Sequence, residues 1–486
     1  MNNFDYYLNT IGEIGYVDQI NGSIVVVSGL PKAGSDELVI FESGQLGQIF
    51  TMKKNQLEVM LFSKESVKPG TKVARTGRSL EAIISEAMIG KIINPLQLLL
   101  ASIDPKNKER LYPIHMIPKG ITERESISKP LETGVSIVDL AIPLAKGQRE
   151  LIIGDRKTGK SAFLLQTILN QTQQGSLCVY AAIGKKTLEI RRIEEFFIKN
   201  KVTDKVIVVA STPEDASGII NLTPYLAMTV AECFRDKGND VLVVLDDLTT
   251  HAKVYREISL LAEKFPGRNS YPADTFYMHA KLLERAGNFI TSGGTYSITC
   301  LPVAETTQGD LSGYIQTNLM SSTDGHLFFD SNLFAQGRRP PINPFLSVTR
   351  VGRQTQTRVR HDVGREIISF LNLFEKMQNF IHFGAELGQN IKTTIETGNK
   401  LLKFFNQPMH QTIPTNIQVL LFALIWNDVW DKSVIDDLDK YVNLLVKKYN
   451  TNPEVKKRVD SLVEKKSFNE MLGSLRKEYQ QIVDVA

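Results

Sequence analysis

Cysteine is scarce in this 486-residue chain: Cys178, Cys233 and Cys300 are the only three, far apart and odd in number. That speaks against a disulfide framework or a zinc knuckle and fits a reducing compartment. Long apolar runs are missing as well. The longest, Val419 to Trp426, is far too short to cross a bilayer. The opening MNNFDYYLNT lacks the basic-then-apolar pattern of a signal peptide. A cytoplasmic chain is expected, reaching the inner face of the cell membrane only indirectly, through partners. Nor is one sign of charge in surplus. A formal net charge of +4 is spread thinly along the length, whereas a nucleic-acid surface needs basic residues gathered on one face. Internal repeats and low-complexity tracts are absent.

The composition that remains, 42% hydrophobic and 23% charged, is that of a globular protein with two or three domains. Three textures follow one another. From about 10 to 75 the chain reads as short strands (IGYVDQI, GSIVVVSG, ELVIFES, QIFTM, LEVMLF, KVART) punctuated by Gly, Asn, Ser and Pro. That is the signature of a small β-barrel. From 76 to 356 short apolar strands alternate with helical stretches. The strands are expected at Glu150–Ile153, Leu177–Ile183, Lys205–Ala210, Val241–Leu245, Tyr296–Pro302 and near Leu346–Thr349, and helices at Ser161–Gln173 and Leu222–Lys237. This pattern implies a mostly parallel sheet covered on both faces. From 357 to 486 apolar residues recur at helical spacing, in Glu366–Leu387 and Val434–Lys447, with Pro408, Pro414 and Pro453 marking breaks. The mixed charge of the last stretch, VKKRVDSLVEKKSFNEMLGSLRKEY, reads as a solvated helical face. The expected architecture is a multidomain α/β chain: a β-barrel at 1–75, a P-loop α/β domain of the RecA type at 76–356, and a helical bundle at 357–486.

The chemistry starts in RELIIGDRKTGKSAFLLQ, where GxxxxGK[ST] follows a strand and opens a helix. Gly154 and Gly159 let the backbone of Asp155, Arg156, Lys157 and Thr158 wrap closely, so that successive N–H groups point at phosphates. Lys160 is placed to bridge the terminal phosphates of ATP or ADP, and the Ser161 hydroxyl to ligate Mg²⁺. A glycine loop that merely turns the chain is the plainer alternative. In VLVVLDDLTTH an apolar strand delivers Asp246, with Asp247 beside it, to the strand's C-terminal edge, where a carboxylate can meet the magnesium shell. Alone, such an Asp-Asp end is often only a cap.

One absence matters more than these presences. Hydrolysis needs a group that orients and polarises a water in line with the γ-phosphate. P-loop ATPases of the hexameric recombinase type place a glutamate just after the second strand. Here CVYAAIG runs into Lys185-Lys186, and an ammonium is no base near neutral pH unless its pKa is driven down. Glu189, Glu194 and Glu195 fall beyond it, on the next helix. Arg350, in FLSVTRVG, sits where sheet gives way to helices. It can serve as an arginine finger toward a neighbouring subunit or simply tie down local carbonyls.

Taken together, these pieces resemble the α subunit of F1-type rotary ATPases. KPLETGVSIVDLAIPLAKGQRELIIGDRKTGKSA is similar to the α P-loop region. DDLTTHAKVYREISLL, PGRNSYPADTFYMHAKLLERA, LPVAETTQGDLSGYIQTN, STDGHLFF and LSVTRVGRQTQTR follow in family order over about residues 20–405. The resemblance implies an α3β3 hexamer with a β-like catalytic partner around a γ-like shaft. It implies a nucleotide that this chain binds without hydrolysing, and no nucleic acid. It matches Arg350 to the arginine that enters the neighbouring catalytic site, Ser321 to an interface serine, and Arg156 to the P-loop arginine beside the nucleotide. Departures are visible too. Lys157 and Lys185 stand where the family has glutamines, and Lys185 thus replaces the catalytic carboxylate of β subunits. The glutamines near the adenine give way to KFFNQPM, so Phe404 and Phe405 are expected to pack inward. The barrel starts almost at once, without the family's leading helix, and the segment between ERAGN and Tyr296 looks shortened. An F1-like complex driving surface machinery or motility is therefore an alternative to ATP synthesis. Remoter ones are a homohexameric secretion or Rho-type ATPase, which the missing carboxylate and a barrel without basic or aromatic clusters disfavour, and a scaffold with an empty P-loop.

Overall fold

Alternating apolar residues in the first texture turn inward together, and the six expected strands close into an antiparallel barrel. In the computed structural model they run Ile14–Asn21, Ile24–Ser28, Leu57–Leu61, Leu46–Met52, Glu37–Phe41 and Lys72–Ser79 in spatial order. Closure leaves no unpaired edge. Val25, Val27, Val39, Phe41, Val59 and Val73 fill the interior. The structure describes residues 3–65, 67–104, 109–382, 389–430 and 437–483. It divides into two compact units: 1–126 with 172–305 and 311–323, and 127–171 with 306–310 and 324–486.

The barrel belongs to the first unit, and it does not start almost at once as expected: a helix precedes it, Asn3–Ile11. Nine residues are too few to hold a helix by propensity. Tertiary contacts hold this one: Phe4 and Tyr7 are buried, and the Tyr7 hydroxyl donates to the Ile103 carbonyl at 3.0 Å. The same unit carries parallel strands in the order Gly294–Glu305, Val241–Asp246, Leu177–Ala182, Val206–Ala210 and Ile92–Ile93. Gly287–Thr291 pairs antiparallel with the first of them. Helix Ser217–Asp236 begins five residues before the expected start at Leu222 and contains Pro224. Proline is ordinarily confined to a helix's first turn. Here burial of Gly218 through Arg235 outweighs that preference.

In the second unit Glu150–Gly154 lies parallel to Gly325–Phe329, which pairs antiparallel with the short strand Val348–Thr349. Helices follow at Arg358–His382, Gln389–Phe405, Thr415–Trp426, Leu438–Thr451, Pro453–Val463 and Phe468–Val483. The mostly parallel α/β region and the helical C-terminal region are thus both as expected. Parts of two expected helical runs, 383–387 and 434–436, lie outside the described residues. The apolar run Val419–Trp426 is a core helix, buried from Ile417 to Ile425. Among the described residues no helix is long and apolar enough to cross a membrane. The last stretch has a solvated face, but Val455, Val459, Leu462, Met471 and Leu475 are buried.

Pro453 starts a helix rather than merely ending one. Asn452 caps it, its Oδ1 accepting from the Glu454 and Val455 amides at 3.0 and 3.4 Å, with proline at N1, where no N–H is needed. Asn452→Ala is expected to lower unfolding stability in a urea titration by about 1 kcal/mol.

Candidate functional site

The glycine loop joins strand Glu150–Gly154 to helix Lys160–Gln173. Gly154 has φ of 156°, and a Cβ there would stand 2.4 Å from the Phe329 carbonyl oxygen, so only glycine fits. Lys157 adopts a left-handed φ of 63° and Gly159 one of 93°. These turns gather the loop around its own amides. The buried Lys160 ammonium donates to the Gly154 and Asp155 carbonyls at 2.8 and 2.6 Å. Thr158 Oγ1 donates to the Asp155 carbonyl at 2.8 Å. Arg156, Lys157 and Ser161 are exposed.

Asp155 is held from the side by residues the sequence reading did not single out. Its Oδ1 accepts from Thr306 Oγ1 at 2.6 Å and from the Gly309 amide at 2.9 Å. Burial alone would raise its pKa. The hydrogen bonds from Thr306, Gly309 and Ser331, together with the Lys160 charge, outweigh that and bring it below the ordinary carboxylate value.

In the first unit the strand Val241–Asp246 is buried throughout and ends in two carboxylates with different duties. Asp247 is the N-cap of helix Leu248–Leu261, accepting from the Thr250 amide at 2.6 Å. Burial, then the neighbouring Asp246 charge, push its pKa up to about 6. Asp246 is engaged at both oxygens. Lys185 Nζ stands 2.8 Å from Oδ1, and the Tyr180 hydroxyl donates to Oδ2 at 2.6 Å. Burial opposes the Lys185 ammonium, but Asp246 and Asp247 overcome it and hold the pKa above its ordinary value. Lys185 is therefore a fixed cation, not a latent base. Glu189, Glu194 and Glu195 lie on helix Thr187–Lys199 with exposed side chains, and none hydrogen-bonds Asp246.

Arg350 follows strand Val348–Thr349, and its side chain is exposed. Its amide donates to the Asp324 carbonyl at 3.1 Å, while Asp324 is tied to Arg149 at 2.7 Å. Among the described residues the guanidinium makes no hydrogen bond or ion pair. Ser321 is exposed on helix Tyr314–Ser322, its hydroxyl donating to the Asn318 carbonyl at 2.8 Å. Phe404 and Phe405 are buried with ring centroids 5.1 Å apart. From the same stretch Lys403 and Asn406 line a cavity of about 660 Å³ with Arg338 and Asn399.

The nucleotide-binding domain of the ATP synthase alpha/beta family matches residues 134–349, and that family's C-terminal domain matches 356–482. The chain belongs to this family. ATP synthase subunit alpha of Lactobacillus acidophilus is 35% identical over 443 residues, covering 91% of this chain and 88% of the relative. The subunit of the same name from Ligilactobacillus salivarius is 35% identical over 444 residues, with the same coverage of each chain. That of Lactobacillus johnsonii is 34% identical over 474, covering 96% and 94%. The F1-type α-subunit resemblance drawn from the motifs is thereby established, and with it a nucleotide-binding domain.

The family implies a magnesium ion with the nucleotide. The exposed Ser161 hydroxyl at the head of helix Lys160–Gln173 suits a magnesium ligand. Asp246 suits it less, since both its oxygens already have partners. Among the described residues no group of three or more His, Cys, Asp or Glu side chains is arranged to hold a metal. Tyr180 is the residue that sequence reading missed here. Its signal was a lone hydroxyl in an otherwise apolar buried strand, which must find an acceptor.

Proposed function

We propose that this chain is the non-catalytic subunit of an F1-type rotary ATPase, holding nucleotide without turning it over and completing catalytic sites on a β-like partner. The proposal extends to an α3β3 hexamer around a γ-like shaft, reaching the membrane only through other subunits. It includes a division into barrel, nucleotide domain and helical domain near residues 75 and 356. The nucleotide, ATP or ADP, would be held by Gly154, Asp155, Arg156, Lys157, Thr158, Gly159, Lys160 and Ser161. Ser161 would hold Mg²⁺, which would supply positive charge to the phosphates. Asp246 shares its charge with Lys185. Ser321 is assigned to the subunit interface.

One observation carries the reading. Where hydrolysis needs a carboxylate to orient water, this chain has Lys185, kept protonated by Asp246 and Asp247. A permanent cation accepts no proton, so the general-base role has no candidate at that position. Arg350 supports the other half. An exposed guanidinium on an anchored backbone, with no hydrogen bond or ion pair among the described residues although its charge acts on the buried Glu150, can reach outward to a neighbour's phosphates.

The purified chain is expected to bind ATP yet hydrolyse it no faster than the buffer blank in a phosphate-release assay. Robust turnover by the chain alone would sink the non-catalytic assignment.

A further inference from the structure

In the second unit the register places Glu150 opposite Gly325 on one side and Thr349 opposite Gly325 on the other. The absence of a side chain at Gly325 makes room for the Glu150 carboxyl. A Cβ there would stand 2.6 and 2.9 Å from its two oxygens. The carboxyl is fully buried. Its Oε2 accepts from Gln148 Nε2 at 2.6 Å, and Oε1 has no hydrogen-bond partner among the described residues. The same Gln148 nitrogen donates to Thr349 Oγ1 at 3.3 Å, and Gln148 Oε1 accepts from the Ala145 amide at 2.9 Å. Thr349 Oγ1 donates in turn to the Pro143 carbonyl at 2.9 Å and accepts from the Gly352 amide at 3.3 Å. That hydroxyl therefore ties down the backbone on both sides of Arg350.

An acid buried with one oxygen unpartnered is a costly way to fill space, and an apolar side chain would fill it at less cost. We propose that Glu150 is a positioning residue for Arg350: through Gln148 and Thr349 its carboxyl fixes the strand end that presents the arginine to a neighbouring site. This role rests on the reading above that Arg350 acts in a neighbouring subunit. Burial, and after it the Asp324 charge, hold the Glu150 carboxyl protonated against the Gln148 hydrogen bond and the Arg350 charge. A neutral carboxyl can hold Gln148 without drawing the guanidinium inward. An ionised one would compete for it.

The test is steady-state ATP turnover of the reconstituted complex carrying Glu150→Ala, Thr349→Val or Glu150→Gln, each with and without Arg350→Ala. Misplacing a group by about 1 Å can cost about 10²-fold in rate. Glu150→Ala and Thr349→Val should each lower kcat about tenfold or more, with the KM for ATP changed less than about twofold. Neither should lower it further once Arg350 is alanine, because both act through that residue. Glu150→Gln, which keeps the shape of the neutral acid, should stay within about threefold of the wild type. Losses that multiply with that of Arg350→Ala, or a glutamine variant as impaired as the alanine one, overturn the inference. If Glu150→Ala fails to assemble, Thr349→Val decides by the same comparison. A large loss from Arg350→Ala with none from Glu150→Ala or Thr349→Val rejects only the positioning role. A loss of only a few-fold from Arg350→Ala rejects the trans reading and this role with it.

Discussion

In the assembled complex, Arg350→Ala is expected to lower ATP turnover by about 10³-fold or more, which is about 4 kcal/mol of barrier, while nucleotide binding by this chain persists. The expectation rests on how the residue is presented. Its backbone is pinned by Asp324, which Arg149 holds in turn. The guanidinium itself is exposed and makes no hydrogen bond or ion pair among the described residues, although its charge acts on the buried Glu150. A corner arginine that merely ties down carbonyls would already be bonded to them. Removing a finger takes away an interaction made only as charge develops on the transferring phosphate, so kcat should fall and the KM for ATP should change little. Steady-state assays of the reconstituted complex, with ATP binding measured separately, provide the check. A loss of only a few-fold would make Arg350 a structural corner and leave the trans role without a residue.

Arg285→Met should destabilise the fold by about 3–5 kcal/mol, the largest stability effect expected of a single substitution here. Arg285 is 1% exposed. It pairs with Glu232 at 2.5 Å and also donates to Thr229 Oγ1 at 2.7 Å and to the Ile114 carbonyl at 2.9 Å. Its removal strands the buried Glu232 carboxylate, both of whose oxygens it holds. The apolar double variant Arg285→Met/Glu232→Leu should recover a large part of the loss, because no uncompensated charge remains. Chemical denaturation of both variants separates the outcomes. If the single variant were as stable as the wild type, water or another cation would have to reach Glu232.

The barrel was legible because its determinants are local: period-two apolar runs broken by turn residues allow few other solutions. The loop Gly154–Ser161 was legible for the same reason, since positive φ at Gly154 and Gly159 is a demand on single residues. The first helix, Asn3–Ile11, was not. What stabilises it is a hydroxyl bond from Tyr7 to Ile103 and the burial of Phe4, which no nine-residue window contains. The start of helix Ser217–Asp236 was misplaced because local proline preference pointed one way and long-range burial the other.

Residue type and spacing were enough to read a glycine loop between a strand and a helix at Gly154–Ser161, a lysine pair directly after CVYAAIG, and an arginine after the last short strand. Those are statements about residue type at a fixed local spacing, and spacing survives without a fold. Only the tertiary structure decided what the lysine does. Tyr180 and Asp246 meet across 66 residues of sequence, and Lys185 joins them because two buried strands pair in one register. Shift that register by one residue and each side chain would face the other side of the sheet. Charge alone said that Lys185 could not be a base unless its pKa were lowered. The pairing says that its pKa is raised instead, and that Asp246 is the group it holds.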